Sequence, residues 1–216
     1  MAQAARLPER LAVLADLDGT LIDSRASAAK AFRWWARLRG LPDGTAETFP
    51  FGRTSTEVAA LLAPELDPAA EGELLELRQA QDTAGVVAVS GAKELLETHR
   101  RLAIVTSGTA ELARARLAAA GLPAPEVLLT AECWERGKPD PEPYIKAMER
   151  LAAQREDCLV LEDSPPGVQS GVAAGIAVIA ILTSYSEAEL AGASAFIPSL
   201  EPLVATVARL RIASSV

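Results

Sequence analysis

Short apolar runs alternate with amphipathic segments along most of the chain. The first run spans residues 11–17 and leads into acidic residues and Gly19, which predicts a buried strand followed by a loop. Similar runs predict four more strands, and apolar residues at helical spacing predict helices between them. The predicted strands are 11–17, 101–105, 126–129, 158–161 and 176–182, and the predicted helices are 92–99, 109–120, 141–153 and 167–174. Strands that alternate with helices predict a parallel sheet covered on both faces.

The stretch after the first predicted strand departs from this alternation. It has three helical patterns, joined by turns that contain Pro and Gly, and no convincing strand; the patterns lie at 26–39, 54–62 and 68–81. We therefore predict an α/β fold with a Rossmann-like parallel-sheet core and a small α-helical cap domain inserted after the first strand. The predicted core is formed by residues 1–23 and 86–216, and the predicted cap by residues 24–85.

Four polar clusters follow predicted strands or open predicted helices, where the ligands of open α/β sheets bind. The first is Asp-Leu-Asp-Gly-Thr at 16–20. A carboxylate such as these can attack phosphorus, and a second acid nearby can protonate the leaving oxygen and later deprotonate water. The alternative interpretation is an acidic turn between a strand and a loop.

The second cluster is Thr-Ser-Gly-Thr at 106–109, between a predicted strand and a predicted helix. Hydroxyl groups and free amides at the start of a helix form an anion site, so this segment is a candidate site for phosphate. The alternative is that Ser107 or Thr109 only caps the helix, and one hydroxyl can cap while another binds phosphate.

The remaining two clusters supply a cation and more acids. Lys138 lies in Gly-Lys-Pro-Asp-Pro at 137–141, where the prolines restrict the backbone around the ammonium group. Glu162 and Asp163 follow the predicted strand 158–161, and adjacent acids at a buried strand end repel each other unless a cation or strong donors lie between them. Oxygen ligands without Cys or His suit Mg²⁺. The alternatives are a solvated lysine and a helix N-cap with a solvated acidic neighbour.

Composition excludes several classes of protein. Half of the 216 residues are apolar and 23% are charged, as in ordinary globular proteins, and the formal net charge is −8. An acidic chain lacks the positive surface that duplex nucleic acid requires, and we interpret the basic clusters at 33–39 and 114–116 as solvated helix faces. The most apolar stretch, 171–182, is too short to span a bilayer. With two cysteines that lack metal-ligand spacing and no signal peptide, a cytoplasmic protein that binds neither nucleic acid nor membrane is expected.

The four clusters together resemble the motifs of the haloacid dehalogenase superfamily. The insert after the first motif resembles the helical cap of the β-phosphoglucomutase-like subfamily. Residues 103–170 are most similar to the phosphatases of hexitol, glycerol-3-phosphate and 2-deoxyglucose-6-phosphate. The resemblance implies an Mg²⁺-dependent phosphatase that acts on a small phosphorylated metabolite, here a sugar or polyol phosphate. We expect a monomer or weak homodimer.

The resemblance also implies residue roles. Asp16 is the implied nucleophile and a metal ligand, and Asp18 the implied general acid and base, with its backbone carbonyl on the metal. Thr106, Ser107 and Lys138 are implied phosphate ligands. Asp163 is an implied ligand of Mg²⁺, with Glu162 either joining it or lying behind it. Arg53, in the cap segment Phe-Gly-Arg-Thr at 51–54, is the implied substrate contact, against the alternative of a solvated arginine.

Two other functions stay open from the sequence. A phosphosugar mutase would use the same acid pair and return the phosphoryl group to another hydroxyl. A catalytically idle phosphate-binding or regulatory protein would keep the site without turnover. His99, the only histidine, is expected at the surface end of a helix, outside any mechanism.

Overall fold

A parallel sheet of six strands forms the centre of the protein. The structure is a computed structural model that describes residues 7–42, 44–45, 53–203 and 205–207. The strands are β1 (Ala12–Ala15), β2 (Ile22–Asp23), β3 (Val87–Ala88), β4 (Leu102–Val105), β5 (Val127–Leu129), β6 (Cys158–Glu162), β7 (Ala177–Ile181) and β8 (Ala195–Ile197). The helices are α1 (Arg25–Leu38), α2 (Ser55–Leu62), α3 (Pro68–Gln81), α4 (Ala92–Thr98), α5 (Ala110–Ala119), α6 (Glu142–Arg150) and α7 (Pro165–Ala173).

The order of strands across the sheet is β5-β4-β1-β6-β7-β8. All five pairings between neighbours are parallel, and β1 lies between β4 and β6. The central strands β1, β4 and β6 are buried along their whole length, because helices pack on both faces of the sheet. The predicted α/β fold with a parallel sheet is therefore confirmed.

The apolar side chains of the sheet divide into two cores, one on each face. Val13, Ile104 and Leu161 belong to one core, and Leu14 and Val160 belong to the other. Neighbouring residues of β1 and β6 thus point to opposite faces, as the two-residue period of a strand requires. Each strand of the centre is fixed in register from both sides, so its carboxyl end is held in place.

The three helices α1, α2 and α3 pack together around their own apolar cluster. Phe32 and Trp35 of α1 meet Val58 of α2 and Leu75 of α3, all of them fully or almost fully buried. The helix starts follow local rules: Thr54 forms a capping box with Glu57 at α2, and Asp67 caps α3 just before a proline. These are the helices of the predicted cap.

A short antiparallel ribbon of β2 and β3 flanks this helical unit on both sides in the chain. The predicted limits at residues 24 and 85 fall between these two strands. The division into a core domain and a cap domain stays a prediction.

His99 contradicts its expected exposure. It ends α4, as expected, but its side chain is buried, and Nε2 lies 2.7 Å from the carbonyl oxygen of Leu11. The imidazole ring lies under the segment that leads into β1, and burial lowers its pKa. In the described part of the chain, no helix is long and apolar enough to cross a membrane.

Candidate active site

The three central strands bring the predicted clusters together. Asp16 directly follows β1, Thr106 directly follows β4, and Glu162 is the last residue of β6. Because β4, β1 and β6 are neighbours and run in the same direction, these residues lie at one edge of the sheet. Clusters that are about 50 to 150 residues apart in sequence thus form a single site.

Lys138 is the cation at the centre of this site. Its Nζ donates to Asp16 Oδ1 at 2.6 Å, to Glu162 Oε1 at 2.6 Å and to the carbonyl oxygen of Val105 at 3.0 Å. The side chain is only 2% exposed, so this is not a solvated lysine. Burial lowers the pKa of Lys138, but the charges of Asp16 and Glu162 more than offset this and raise it. The ammonium group is therefore charged and fixed by three acceptors.

Glu162 is held by donors on both of its carboxylate oxygens. Oε1 accepts from Lys138 and from the Tyr144 hydroxyl at 2.7 Å. Oε2 accepts from the amide of Asp163 at 3.0 Å and from the amide and hydroxyl of Ser164 at 3.2 and 3.0 Å. Five donors leave this carboxylate little capacity to bind a metal as well. This arrangement favours Glu162 as the group that orients Lys138.

Gly167 allows Glu162 to be enclosed in this way. A Cβ atom built at Gly167 would lie 1.8 Å from the carboxyl carbon of Glu162, which no real contact permits. The glycine lies in the first turn of α7, which Ser164 caps through the Gly167 amide at 3.3 Å. The start of α7 therefore closes over Glu162 only because position 167 has no side chain.

Asp16, Glu162 and Asp163 form a buried acidic cluster. One carboxylate oxygen of each lies within 4.8 Å of the others. Burial raises the pKa of Asp16 to about 7, although Lys138 opposes the shift. Burial, followed by the charges of Asp16 and Glu162, raises the pKa of Asp163 well above its usual range. Three acids and one lysine leave excess negative charge, so a hard divalent cation on oxygen ligands fits this cluster.

Gly19 is required where the loop after β1 approaches this cluster. Its φ is +93°, a left-handed conformation that favours glycine, and a Cβ atom there would lie 1.8 Å from Oδ2 of Asp163. The sharp turn after Asp18 thus lets the first and fourth motifs touch.

Asp18 lies beside this cluster with both carboxylate oxygens hydrogen-bonded. Oδ1 accepts from the Ser24 hydroxyl at 2.6 Å, and Oδ2 pairs with Nη1 of Arg116 at 2.8 Å. Arg116 is 5% exposed, so the interpretation of 114–116 as a solvated helix face is wrong for this residue. Arg114, on the outer side of the same helix, is exposed as expected.

The segment after β4 combines capping with an open polar face. The hydroxyl of Thr109 accepts from the amide of Leu112 and caps α5, and the amide of Thr109 donates to Glu76 of α3 at 2.8 Å. Thr106 and Ser107 line a cleft together with Asp16. The hydroxyl of Thr106 accepts from the Gly108 amide at 3.2 Å. Thr109 therefore caps α5, whereas Thr106 and Ser107 line the cleft.

Arg53 lines the same cleft from the predicted cap, just before α2, and its side chain is exposed. The predicted substrate-facing segment begins at 51, and residues 51 and 52 lie outside the described residues. The structure thus brings Arg53 to the cleft that Asp16 and Asp18 line.

Several groups of the site were not predicted from the sequence. Tyr144 lies in the helix after the lysine motif, where an aromatic residue usually indicates core packing. Its hydroxyl donates to Glu162, a contact that only the fold reveals. Arg116 and Gln79 lie on different helices and meet only in the fold, at 2.6 Å. Ser24 had a local signal, because serine before a helix suggests an N-cap, but its hydroxyl bonds Asp18 instead.

Comparison with known proteins agrees with this geometry. A family model described as haloacid dehalogenase-like hydrolase matches residues 13–181. Hexitol phosphatase A of Escherichia coli is 41% identical over 200 residues, which cover 89% of this chain and 93% of that protein. Validoxylamine A 7'-phosphate phosphatase of Streptomyces hygroscopicus subsp. limoneus is 34% identical, over 87% of this chain and 92% of that protein.

Among solved structures, a hydrolase from Pseudomonas syringae superposes with a TM-score of 0.79 at 25% identity. The match covers 92% of this chain and 98% of that one. Fold, motif order and relatives thus agree over most of the chain.

Proposed function

The chain belongs to the haloacid dehalogenase-like hydrolase family, and from this premise we propose that it hydrolyses a small sugar or polyol phosphate through an aspartyl-phosphate on Asp16. The chain is a phosphoric monoester hydrolase, since the family is one of hydrolases and the relatives that it matches over most of their length are phosphatases. One observation carries the finer proposal: Asp16, at the end of the central strand, is buried and bound to Lys138 at 2.6 Å.

In the proposed first step, a carboxylate oxygen of Asp16 forms a bond to phosphorus while the bond from phosphorus to the substrate alcohol breaks. Asp18 gives its proton to the departing alcohol oxygen. In the second step, Asp18 takes a proton from water, and the water oxygen attacks phosphorus. Inorganic phosphate leaves, and the carboxylate of Asp16 is restored.

The phosphoryl group itself is proposed to be held by the hydroxyl of Thr106, by the amide of Ser107 and by Lys138, which would exchange one of its three present acceptors for a phosphoryl oxygen. Lys138 bonds Asp16 and the carbonyl oxygen of Val105 at the end of β4, and Thr106 and Ser107 line the cleft together with Asp16. Phosphoryl transfer depends mostly on positioning and on stabilising oxygen charge, so fixed donors supply much of what the reaction needs. Glu162 accepts a hydrogen bond from Lys138 and one from the hydroxyl of Tyr144, and these contacts are proposed to keep the ammonium group in place.

We propose Mg²⁺ as the cofactor, held by the carboxylates of Asp16 and Asp163 and by the backbone carbonyl of Asp18. The support is the chemistry of the donor set: the carboxylates are buried, and burial, followed by the charges of neighbouring carboxylates, raises the pKa values of Asp16 and Asp163. When bound, Mg²⁺ supplies positive charge that stabilises the phosphoryl oxygens. Glu162, which already accepts five hydrogen bonds, is not proposed as a ligand.

The choice of a sugar or polyol phosphate rests on the relatives and on the cleft. Hexitol phosphatase A is the relative with 41% identity. The cleft is lined by groups that bond hydroxyls, among them Ser24, Ser55, Glu76 and Gln79, and by the guanidinium of Arg53, which we propose as a substrate contact. Small-molecule sites use a few such polar groups to fix orientation. The proposed partner is thus one small phosphorylated metabolite.

A phosphate-release screen tests this function. Purified protein is incubated with MgCl₂ and a panel of sorbitol 6-phosphate, 2-deoxyglucose 6-phosphate, glucose 6-phosphate and glycerol 3-phosphate. Release of inorganic phosphate from one or more is expected. Interconversion of hexose phosphates without release would indicate the mutase instead. Absence of any turnover across the panel would indicate the idle phosphate-binding protein.

The metal assignment has a readout besides activity. A ligand that binds only the folded state raises the thermal unfolding midpoint. We expect MgCl₂ to raise the midpoint more than NaCl of equal ionic strength, and Asp163→Asn to remove that difference. Asp157→Asn, at a surface acid paired with Arg10 at 3.6 Å, is the matched control and keeps the shift. An equal Mg²⁺ shift in Asp163→Asn would contradict the assignment.

A further inference from the structure

A buried arginine joins the predicted cap to the proposed general acid. Arg116 of α5 donates from Nη2 to the side-chain oxygen of Gln79 on α3 at 2.6 Å, while its Nη1 lies 2.8 Å from Oδ2 of Asp18. Its side chain is 6% exposed. A charge this deep is costly unless it is paired, and here one guanidinium is shared between a helix of the cap and an acid of the core.

The arginine is held through these two partners. Its buried Nε has no hydrogen-bond acceptor among the described residues. The planar guanidinium group therefore takes its position from Asp18 on one side and Gln79 on the other. Gln79 is in turn 4% exposed, and its side-chain nitrogen lies 3.3 Å from the carbonyl oxygen of Leu75 and 3.4 Å from the hydroxyl of Ser55.

Asp18 is fixed from two directions as a result. Ser24, which precedes α1, bonds one carboxylate oxygen at 2.6 Å, and Arg116 bonds the other. A carboxylate that is 28% exposed would otherwise turn about its side-chain torsions. These two hydrogen bonds, one on each carboxylate oxygen, select one orientation of Asp18. The groups that impose it are Ser24 before α1, Arg116 of α5 and, through Arg116, Gln79 of α3.

We propose that Arg116 is a positioning residue: it holds Oδ2 of Asp18, which leaves Oδ1 to carry the proton for the leaving alcohol, and it makes that orientation depend on the docking of α3 through Gln79. The inference rests on the proposed function, because it assigns Arg116 to the proton transfer of that reaction. Misplacement of a catalytic group by about 1 Å can lower the rate by about 100-fold. Arg116 acts through Asp18 and forms no bond to phosphorus.

The test uses two leaving groups. Protonation by Asp18 matters for an alkyl phosphate such as sorbitol 6-phosphate, whose alkoxide is a poor leaving group. It matters little for p-nitrophenyl phosphate, which releases a stable phenolate. The ratio kcat/KM reports the steps up to departure of the leaving group, so it excludes hydrolysis of the aspartyl-phosphate. If another polyol phosphate of the panel is turned over faster, it replaces sorbitol 6-phosphate.

Arg116→Gln is expected to lower kcat/KM for the alkyl ester by about 10- to 100-fold, within the range of general acid catalysis, and for the aryl ester by less than about 3-fold. Arg116→Lys is expected to restore part of the loss. Arg114→Gln, which replaces an exposed arginine of the same helix, is the matched control and leaves kcat/KM unchanged for both esters. An equal loss for both esters, or no loss for either, overturns the proposal.

A thermal-unfolding cycle tests the contact without turnover. If Arg116 and Asp18 are paired, the double variant Arg116→Gln/Asp18→Asn lowers the unfolding midpoint by less than the sum of the two single variants. If the two single variants lower the midpoint by amounts that add up to the effect of the double variant, the contact is absent and the proposal is overturned. If the wild-type protein releases phosphate from neither ester, the proposed function fails, and this cycle still decides whether Arg116 holds Asp18.

Discussion

At the scale of single residues, the main feature of the candidate site is the pairing of the buried charges around Lys138. Asp16 and Glu162 are both buried, and the ammonium group of Lys138 lies 2.6 Å from each. Removal of one member of such a buried pair leaves an uncompensated charge, which costs more than the loss of an exposed ion pair. The lysine therefore contributes to folding as well as to the proposed chemistry.

Lys138→Met tests this dual role. The substitution is expected to abolish phosphate release and to lower the free energy of unfolding by about 3–5 kcal/mol at neutral pH, as broken buried ion pairs do. Urea unfolding and phosphate release are the two measurements. Lys146→Met is the control, since Lys146 pairs with Glu142 at 2.6 Å but is 38% exposed. A stable, active Lys138→Met variant would contradict the assigned pairing.

His99 gives a prediction about pH. Burial lowers the pKa of its imidazole below the usual value of 6.5, so the unfolded chain binds this proton more readily than the folded chain. The contribution of His99 to stability is therefore full above pH 6.5 and declines as the pH falls through the folded-state pKa. We expect the difference in unfolding free energy between wild type and His99→Gln to shrink between pH 7.5 and 5.

Denaturant unfolding at both pH values measures this difference. The acids with shifted pKa values occur in both proteins and cancel, and His99 is the only histidine. A difference that stays constant with pH would show that the buried ring does not titrate as described.

At the scale of elements, the starts and ends of strands and helices carry the site. The central strands were predicted within a few residues, since buried parallel strands are continuous apolar runs. The strand β8 and the ribbon of β2 and β3 were not predicted, because two or three residues carry too little periodicity. All four motifs were expected at strand or helix ends, and the site has them there.

Contacts between different helices and strands could not be predicted from local sequence patterns. Arg116 lies in an Ala- and Arg-rich helix whose sequence is equally compatible with a solvated face. Only the packing of α3 on α5 buries it against Gln79 and Asp18. The same holds for Glu162, whose five donors come from the two residues between β6 and α7, from Tyr144 of α6 and from Lys138. The residues that meet at the candidate site were thus predictable from the sequence, and the groups that hold them in place were not.

Gly167→Ala is the prediction at this scale. A Cβ atom at 1.8 Å from the Glu162 carboxyl forces the start of α7 or Glu162 to move, and either shift disturbs Lys138. We expect the variant to lose most phosphate-release activity and to unfold at a lower urea concentration. Val172→Ala, at a position 47% exposed in the same helix, is the control and stays near wild type. Wild-type activity in Gly167→Ala would show that the close approach is not needed.

At the scale of the whole molecule, the parallel sheet places the reacting groups and the helical unit covers them. Asp16, Thr106 and Asp163 depend on the order of β4, β1 and β6, whereas Arg53, Gln79 and Glu76 approach from the helices of the predicted cap. Under the proposed function, phosphoryl transfer takes place on the predicted core, and the alcohol is recognised by the predicted cap. The fold is shared with relatives over most of the chain, and the cap side of the cleft is where the identity of the alcohol is expected to be set.

The most direct test of the central claim is the covalent state of Asp16 during turnover. Wild-type protein is mixed with Mg²⁺ and the best phosphate ester of the panel, quenched in acid within one turnover, digested and analysed by mass spectrometry. We predict one added phosphoryl group on the peptide that contains Asp16, and neither this adduct nor phosphate release in a folded Asp16→Asn variant. Phosphate release by Asp16→Asn at the wild-type rate, without an adduct on the wild-type peptide, would contradict the claim.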